Sequence, residues 1–118
     1  IRDRMKGPAA ILNGKTPLET LIGVLAESSL MITNDSGPMH IAAALGVPTV
    51  AVFGSTDERV TGPYGPRTRI VKYPVECSPC LLRDCPIDHR CMNGVTAEKV
   101  CIAARELIQT AYRPQKYE

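Results

Sequence analysis

The sequence has no apolar run long enough to cross a bilayer. Stretches such as Ile41–Leu45 and Val50–Phe53 fall far below the ~20 residues of a spanning helix, so no transmembrane segment is expected. Charge of one sign is also scarce. Against 12 acidic residues stand 14 basic ones, for a formal net charge of +2. A nucleic-acid-binding face needs basic residues gathered together, and this balance argues against nucleic acid as a partner. The opening Ile1-Arg2-Asp3-Arg4 is charged and lacks an apolar h-region, so no secretory signal is read there. Neither a Walker loop nor a Gly-x-Gly-x-x-Gly dinucleotide fingerprint is present. No internal repeat and no low-complexity segment stand out. Five cysteines, an odd number without a secretory signal, fit a reducing cytoplasm better than a disulfide framework.

What is present is the balance of an ordinary globular domain: 44% hydrophobic and 22% charged residues in a chain of 118. That length supports one domain with its own core and is short for a two-domain enzyme. The lack of an initiator Met and the start inside an apparent element lead to the expectation that an upstream part has been removed.

Along the chain, apolar runs alternate with helical patterns. Ala9–Asn13, closed by Asn13-Gly14, reads as a buried strand. Thr16-Pro17-Leu18-Glu19 reads as a capping box with Pro at the first helical position. Leu18, Leu21, Ile22 and Leu25 follow at helical spacing, so a helix is expected over about 17–28. Leu30–Thr33 reads as a strand, and Met39–Leu45 as a helix with Pro38 in its first turn and Gly46 past its end. Thr49–Phe53 is strand-like, and Arg69–Tyr73 is one more candidate strand. Thr96 is positioned to cap a final helix with Val100, Ala103, Ala104, Leu107 and Ile108 on one face, fraying before Pro114. Cys101 is expected in the core. The alternation predicts an α/β fold, a Rossmann-like parallel sheet with flanking helices, its strands buried on both faces.

In such sheets ligands bind beyond the carboxyl ends of the strands, and Asn34 to His40 occupies that position. Gly37 permits close approach, and the following helix offers unpaired amides at its positive end, features that suit a phosphate. Ser36 adds a hydroxyl donor. Asp35 is able to cap the helix or to accept from a sugar hydroxyl, and His40 lies one turn in, over Ser36 and Gly37. The plainer alternative is a capped strand–helix turn in which Asp35 and Ser36 satisfy helix amides.

The segment from Thr33 to Gly54, Thr-Asn-Asp-Ser-Gly-Pro-Met-His-Ile-Ala-Ala-Ala-Leu-Gly-Val-Pro-Thr-Val-Ala-Val-Phe-Gly, resembles the signature of the ADP-heptose:lipopolysaccharide heptosyltransferases. Gly14–Glu19 and the Cys-Ser-Pro-Cys and His-Arg-Cys-Met segments are also similar to that family, nearest its heptosyltransferase II branch. The resemblance runs from about Ile11 to Ile108. It implies the C-terminal half of a two-domain GT-B glycosyltransferase, with residues 1–118 as the nucleotide-sugar (ADP-heptose) binding domain and the N-terminal acceptor domain absent. It further implies that Asp35, Ser36 and Gly37 contact the pyrophosphate and heptose, that His40 reaches the donor sugar or its phosphates, and that Lys15 and Thr16 line the adenosine pocket. The family's proposed catalytic carboxylate lies in the N-terminal domain, so no catalytic residue and no activity are expected of this chain alone. The lipopolysaccharide core acceptor is expected through the missing domain. The implied setting is the cytoplasm, with peripheral contact at the inner-membrane face left open, and no cofactor.

Residues 74–93 form a Cys- and Pro-rich loop. Cys77, Cys80, Cys85 and Cys91, with His89 nearby, carry enough ligands for zinc or an iron–sulfur cluster. Cys77 and Cys80 have knuckle spacing, but the second pair does not match a standard ribbon half. Reduced cysteines packed as small apolar groups are therefore expected, with no metal. Two other functions remain open on the residues: a small metal-binding interaction module, and a different nucleotide-sugar enzyme on the same architecture.

Overall fold

The computed structural model describes residues 2–111. After a single 3-10 turn at Arg2–Arg4, the elements run α1 (Leu18–Ala26), β1 (Met31–Asn34), α2 (Gly37–Ala44), β2 (Thr49–Phe53), α3 (Glu58–Thr61), β3 (Thr68–Lys72), α4 (Arg90–Asn93) and α5 (Ala97–Ala111). The three strands form one sheet in the order β1-β2-β3. Both pairs are parallel, with Met31 opposite Thr49 and Thr49 opposite Thr68.

The apolar run of β2 follows from its central position. Val50 joins Val71 of β3 and Ala104 and Leu107 of α5 in one core cluster. Ala51 and Phe53, on the alternate residues, pack with Met39 of α2 on the other face. Helices thus cover both faces, and a strand buried on both sides cannot alternate apolar with polar residues. A third cluster joins Leu25 of α1 to Ala42 and Val47, so α1 rides on α2.

The end of α2 is set by backbone chemistry. Gly46 takes a left-handed conformation with φ +73, which an L side chain rarely adopts. Its amide donates to the Ala43 carbonyl and that of Val47 to Ala42, both at 3.0 Å. This 5→2 and 6→1 pattern is the Schellman motif, closed by the apolar contact between Ala42 and Val47. It turns the chain into β2. At the other end of the molecule, the Lys99 amide donates to Thr96 Oγ1 at 3.4 Å and supports the start of α5.

Three expectations are corrected. Ala9–Asn13 is not a strand: residues 8–12 have no regular structure, and Ile11 and Leu12 are 48% and 43% exposed. A strand exists only through its partner's hydrogen bonds, and the sheet formed by the described residues does not include this run. The capping box at Thr16 does not close, because Pro17 (φ −63, ψ 165) is itself the N-cap and Thr16 falls one residue too early. Cys101 is exposed, at the flank of the α5 face that buries Ala104 and Leu107. The expected fraying before Pro114 lies outside the described residues. Two short helices, α3 and α4, leave no helical pattern in the sequence, because each has only 4 residues, too few to show a period.

Candidate functional site

The carboxyl ends of β1 and β2 open onto a cleft of about 270 Å³. Asn34 and Asp35 line it from β1, Gly54, Ser55 and Thr56 from β2, and the Cys-rich loop closes the far side. That loop is pinned to the end of β2. Ser78 Oγ donates to the Gly54 carbonyl at 2.6 Å, and the Leu81 amide to the Ser55 carbonyl at 2.9 Å. A Cβ on Gly54 would collide with Met92 Sδ at 2.5 Å, so the bare glycine lets α4 approach the strand.

At the start of α2, Ser36 is the N-cap residue in extended conformation, yet its side chain caps no helix amide. Its Oγ instead pairs with Thr33 Oγ1 at 3.1 Å. Asp35 does not cap the helix either. Its Oδ2 accepts from Thr61 Oγ1 at 2.9 Å, across 26 residues of sequence. The capped-turn alternative for Asp35 and Ser36 is therefore not what the structure shows. Space around Gly37 is open: a Cβ built there meets nothing within 4 Å. His40 lies one turn into α2 and is exposed. An anion at this end would meet the positive pole of α2 without displacing a side-chain cap.

The loop after β2 is braced electrostatically. Asp57 caps α3 by accepting from the Arg59 amide at 3.0 Å and pairs with the Arg59 guanidinium at 2.8 Å. The side-chain hydrogen bond from Arg59, and then its amide, hold the Asp57 carboxyl down at about 2. Lys72 of β3 pairs with Glu58, and that hydrogen bond lowers the Glu58 carboxyl below its ordinary range.

Of the residues singled out from sequence, Asp35, Ser36, Gly37 and His40 share the β1–α2 turn and first helical turn. Asp35 alone of them lines the cleft. Lys15 and Thr16 precede α1, do not line the cleft, and have no side-chain hydrogen bond to the turn among the described residues. Sequence reasoning missed Thr61. Nothing local in the sequence announces a bond from Thr61 to Asp35. Cys77, Cys80, Cys85 and Cys91 all line the cleft as free thiols. Among the described residues, no group of three or more His, Cys, Asp or Glu side chains is gathered closely enough to hold a metal ion. No helix among them is long and apolar enough to cross a membrane.

Fold and site together define an open parallel α/β domain with a cleft at the carboxyl ends of β1 and β2, where ligands of such sheets bind. Residues 1–90 match the family model of glycosyltransferase family 9 (heptosyltransferase), and the chain belongs to that family. It is 39% identical to lipooligosaccharide heptosyltransferase 2 of Campylobacter jejuni over 86% of its own length and 32% of that protein's. It is 39% identical to lipopolysaccharide heptosyltransferase 2 of Salmonella typhimurium over 52% of its length and 18% of that protein's. The solved structure of Escherichia coli ADP-heptose lipopolysaccharide heptosyltransferase II superposes with a TM-score of 0.69 at 28% identity, over 85% of this chain and 28% of that one. The chain therefore spans about a third or less of the relatives it matches. The metal-binding module and the other nucleotide-sugar enzyme are not favoured by these matches.

Proposed function

We propose that this chain is the donor-binding domain of a heptosyltransferase that moves heptose from ADP-heptose to the lipopolysaccharide inner core, with the acceptor side supplied by a separate N-terminal domain. The observation that carries the reading is the uncapped start of α2 beside Asp35. The Gly37 amide, the Ser36 hydroxyl and open space over Gly37 meet at the carboxyl end of β1, while Pro38 has no amide to offer and the Met39 amide is taken by the Ser36 carbonyl at 3.1 Å. In this reading Gly37 and Ser36 hold the diphosphate, Asp35 accepts from sugar hydroxyls, and His40 reaches the donor from the next turn. Lys15 and Thr16 are assigned to the adenosine side. The names of the Campylobacter and Escherichia coli relatives support the choice of sugar and acceptor.

The chemistry follows from charge. As the sugar–oxygen bond breaks, negative charge grows on the leaving diphosphate. Preorganised amides and hydroxyls aimed at it stabilise the transition state more than the ground state. The base for the acceptor hydroxyl is assigned to the partner domain, because His40 sits on the donor's side and His89 in the cysteine loop. Work in the cytoplasm, with peripheral contact at the inner-membrane face, belongs to the same proposal. Chemical-shift mapping with ADP tests it: the resonances of residues 34–40 should move. Shifts confined to another surface would overturn the assignment.

A further inference from the structure

Asp35 is held by a residue that the donor-site reading does not use. Thr61, the last residue of α3, donates its hydroxyl to Asp35 Oδ2 at 2.9 Å, and its oxygen also lies 3.2 Å from the Asp57 carbonyl. Both partners of the bond are half-buried. The platform beneath Thr61 is braced three ways. Asp57 caps α3 through the Arg59 amide, Arg59 pairs back onto Asp57, and Lys72 of β3 pairs with Glu58. The Gly62 amide then closes the turn onto the Glu58 carbonyl at 2.9 Å. A threonine on such a support has little freedom to swing away. Its proton occupies one carboxylate oxygen, and Asp35 Oδ1 has no hydrogen-bond partner among the described residues, although Asp35 borders the cleft.

We infer that Thr61 is a positioning residue for Asp35. It fixes the carboxylate rotamer, keeps Asp35 from folding back as a helix cap, and leaves one oxygen presented to the hydroxyl of a bound sugar. This rests on the donor-site reading of Asp35. A hydrogen bond to a charged group is stronger than one between neutral groups, which favours one rotamer over its alternatives. The bond also ties the loop after β2 to the turn after β1.

The test uses the full-length enzyme with ADP-heptose and a heptose-deficient core acceptor. Thr61→Val keeps shape and removes the hydroxyl, and Thr61→Ser restores it. Thr61→Val should raise the KM for ADP-heptose about tenfold, while Thr61→Ser stays within about twofold of the parent. In an Asp35→Ala background Thr61→Val should have no further effect, because its only route to the donor has gone. Equal additional losses in both backgrounds would overturn the inference, as would a fall in melting temperature that alone accounts for the lost activity and is not rescued by serine. If Asp35→Ala leaves turnover unchanged, the donor-site reading itself fails and the role of Thr61 falls with it. If Asp35→Ala is severe and Thr61→Val silent, only the role of Thr61 is refuted.

Discussion

Replacing Gly37 by valine separates the site from the scaffold, because the two should respond differently. Gly37 is the first residue of α2, and a Cβ there meets nothing within 4 Å. Its backbone is not in the left-handed region, so a side chain adds no strain of that kind, and the cost that remains is crowding of the Cβ against the ring of Pro38. Glycine is about 1 kcal/mol less favourable than alanine in a helix, and valine at most ~0.7 kcal/mol less favourable, so helix propensity does not oppose the exchange. A chemical or thermal melt should place the variant within ~1 kcal/mol of the parent. Binding should behave otherwise. The added methyls occupy the space over the α2 start, where a favourable, partly buried helix terminus contributes up to ~2 kcal/mol to an anion. Loss of that contribution alone corresponds to about thirtyfold in dissociation constant. Calorimetry with ADP on the full-length enzyme measures it. An unchanged dissociation constant in a folded variant would refute the placement of the diphosphate at this turn. A variant that unfolds would place the cost in the contact of the new Cβ with Pro38, and Gly37→Ala would then carry the binding test.

Three further outcomes are expected. Protein purified without chelator should carry clearly less than one zinc or iron per chain by elemental analysis; stoichiometric metal with four-sulfur coordination by X-ray absorption would reverse that expectation for residues 74–93. The isolated 118-residue chain should fold, fail to turn over ADP-heptose, and bind ADP nearer ~1 mM than ~1 μM, because ~4 kcal/mol is within reach of one open half-site and ~8 kcal/mol is not; turnover at an ordinary enzymatic rate would put the base in this domain. Asp57 titrates at about 2 in the fold against 3.8 for a free side chain, so its contribution to stability is present above pH ~4 and is lost as pH falls toward 2; in denaturant melts the gap between the parent and Asp57→Asn should narrow over that interval, and a gap independent of pH would show that the Arg59 pair is not its cause.

The order of elements was legible because each carried its own punctuation. Thr49–Phe53 reads as a strand from its unbroken β-branched and apolar run, and the structure places β2 on those same residues. Pro38 and Gly46-Val47-Pro48 bracket α2 by local sterics that no tertiary contact is needed to enforce. Asp35, Ser36 and Gly37 were readable as a site for the same reason: a strand's end, a glycine and a helix start are neighbours in sequence. Other features depend on partners. Ala9–Asn13 has a strand's composition, but pairing is a property of two segments, and the sheet seen here does not take it in. Cys101 looked internal because it sits among apolar residues, yet α5 buries only the face holding Ala104 and Leu107. The cleft, the folding of the cysteine loop against it, and the Thr61–Asp35 bond are decisions of tertiary structure alone. They join residues up to dozens of positions apart, and local propensity reports only on neighbours along the chain, whereas a site is made of neighbours in space.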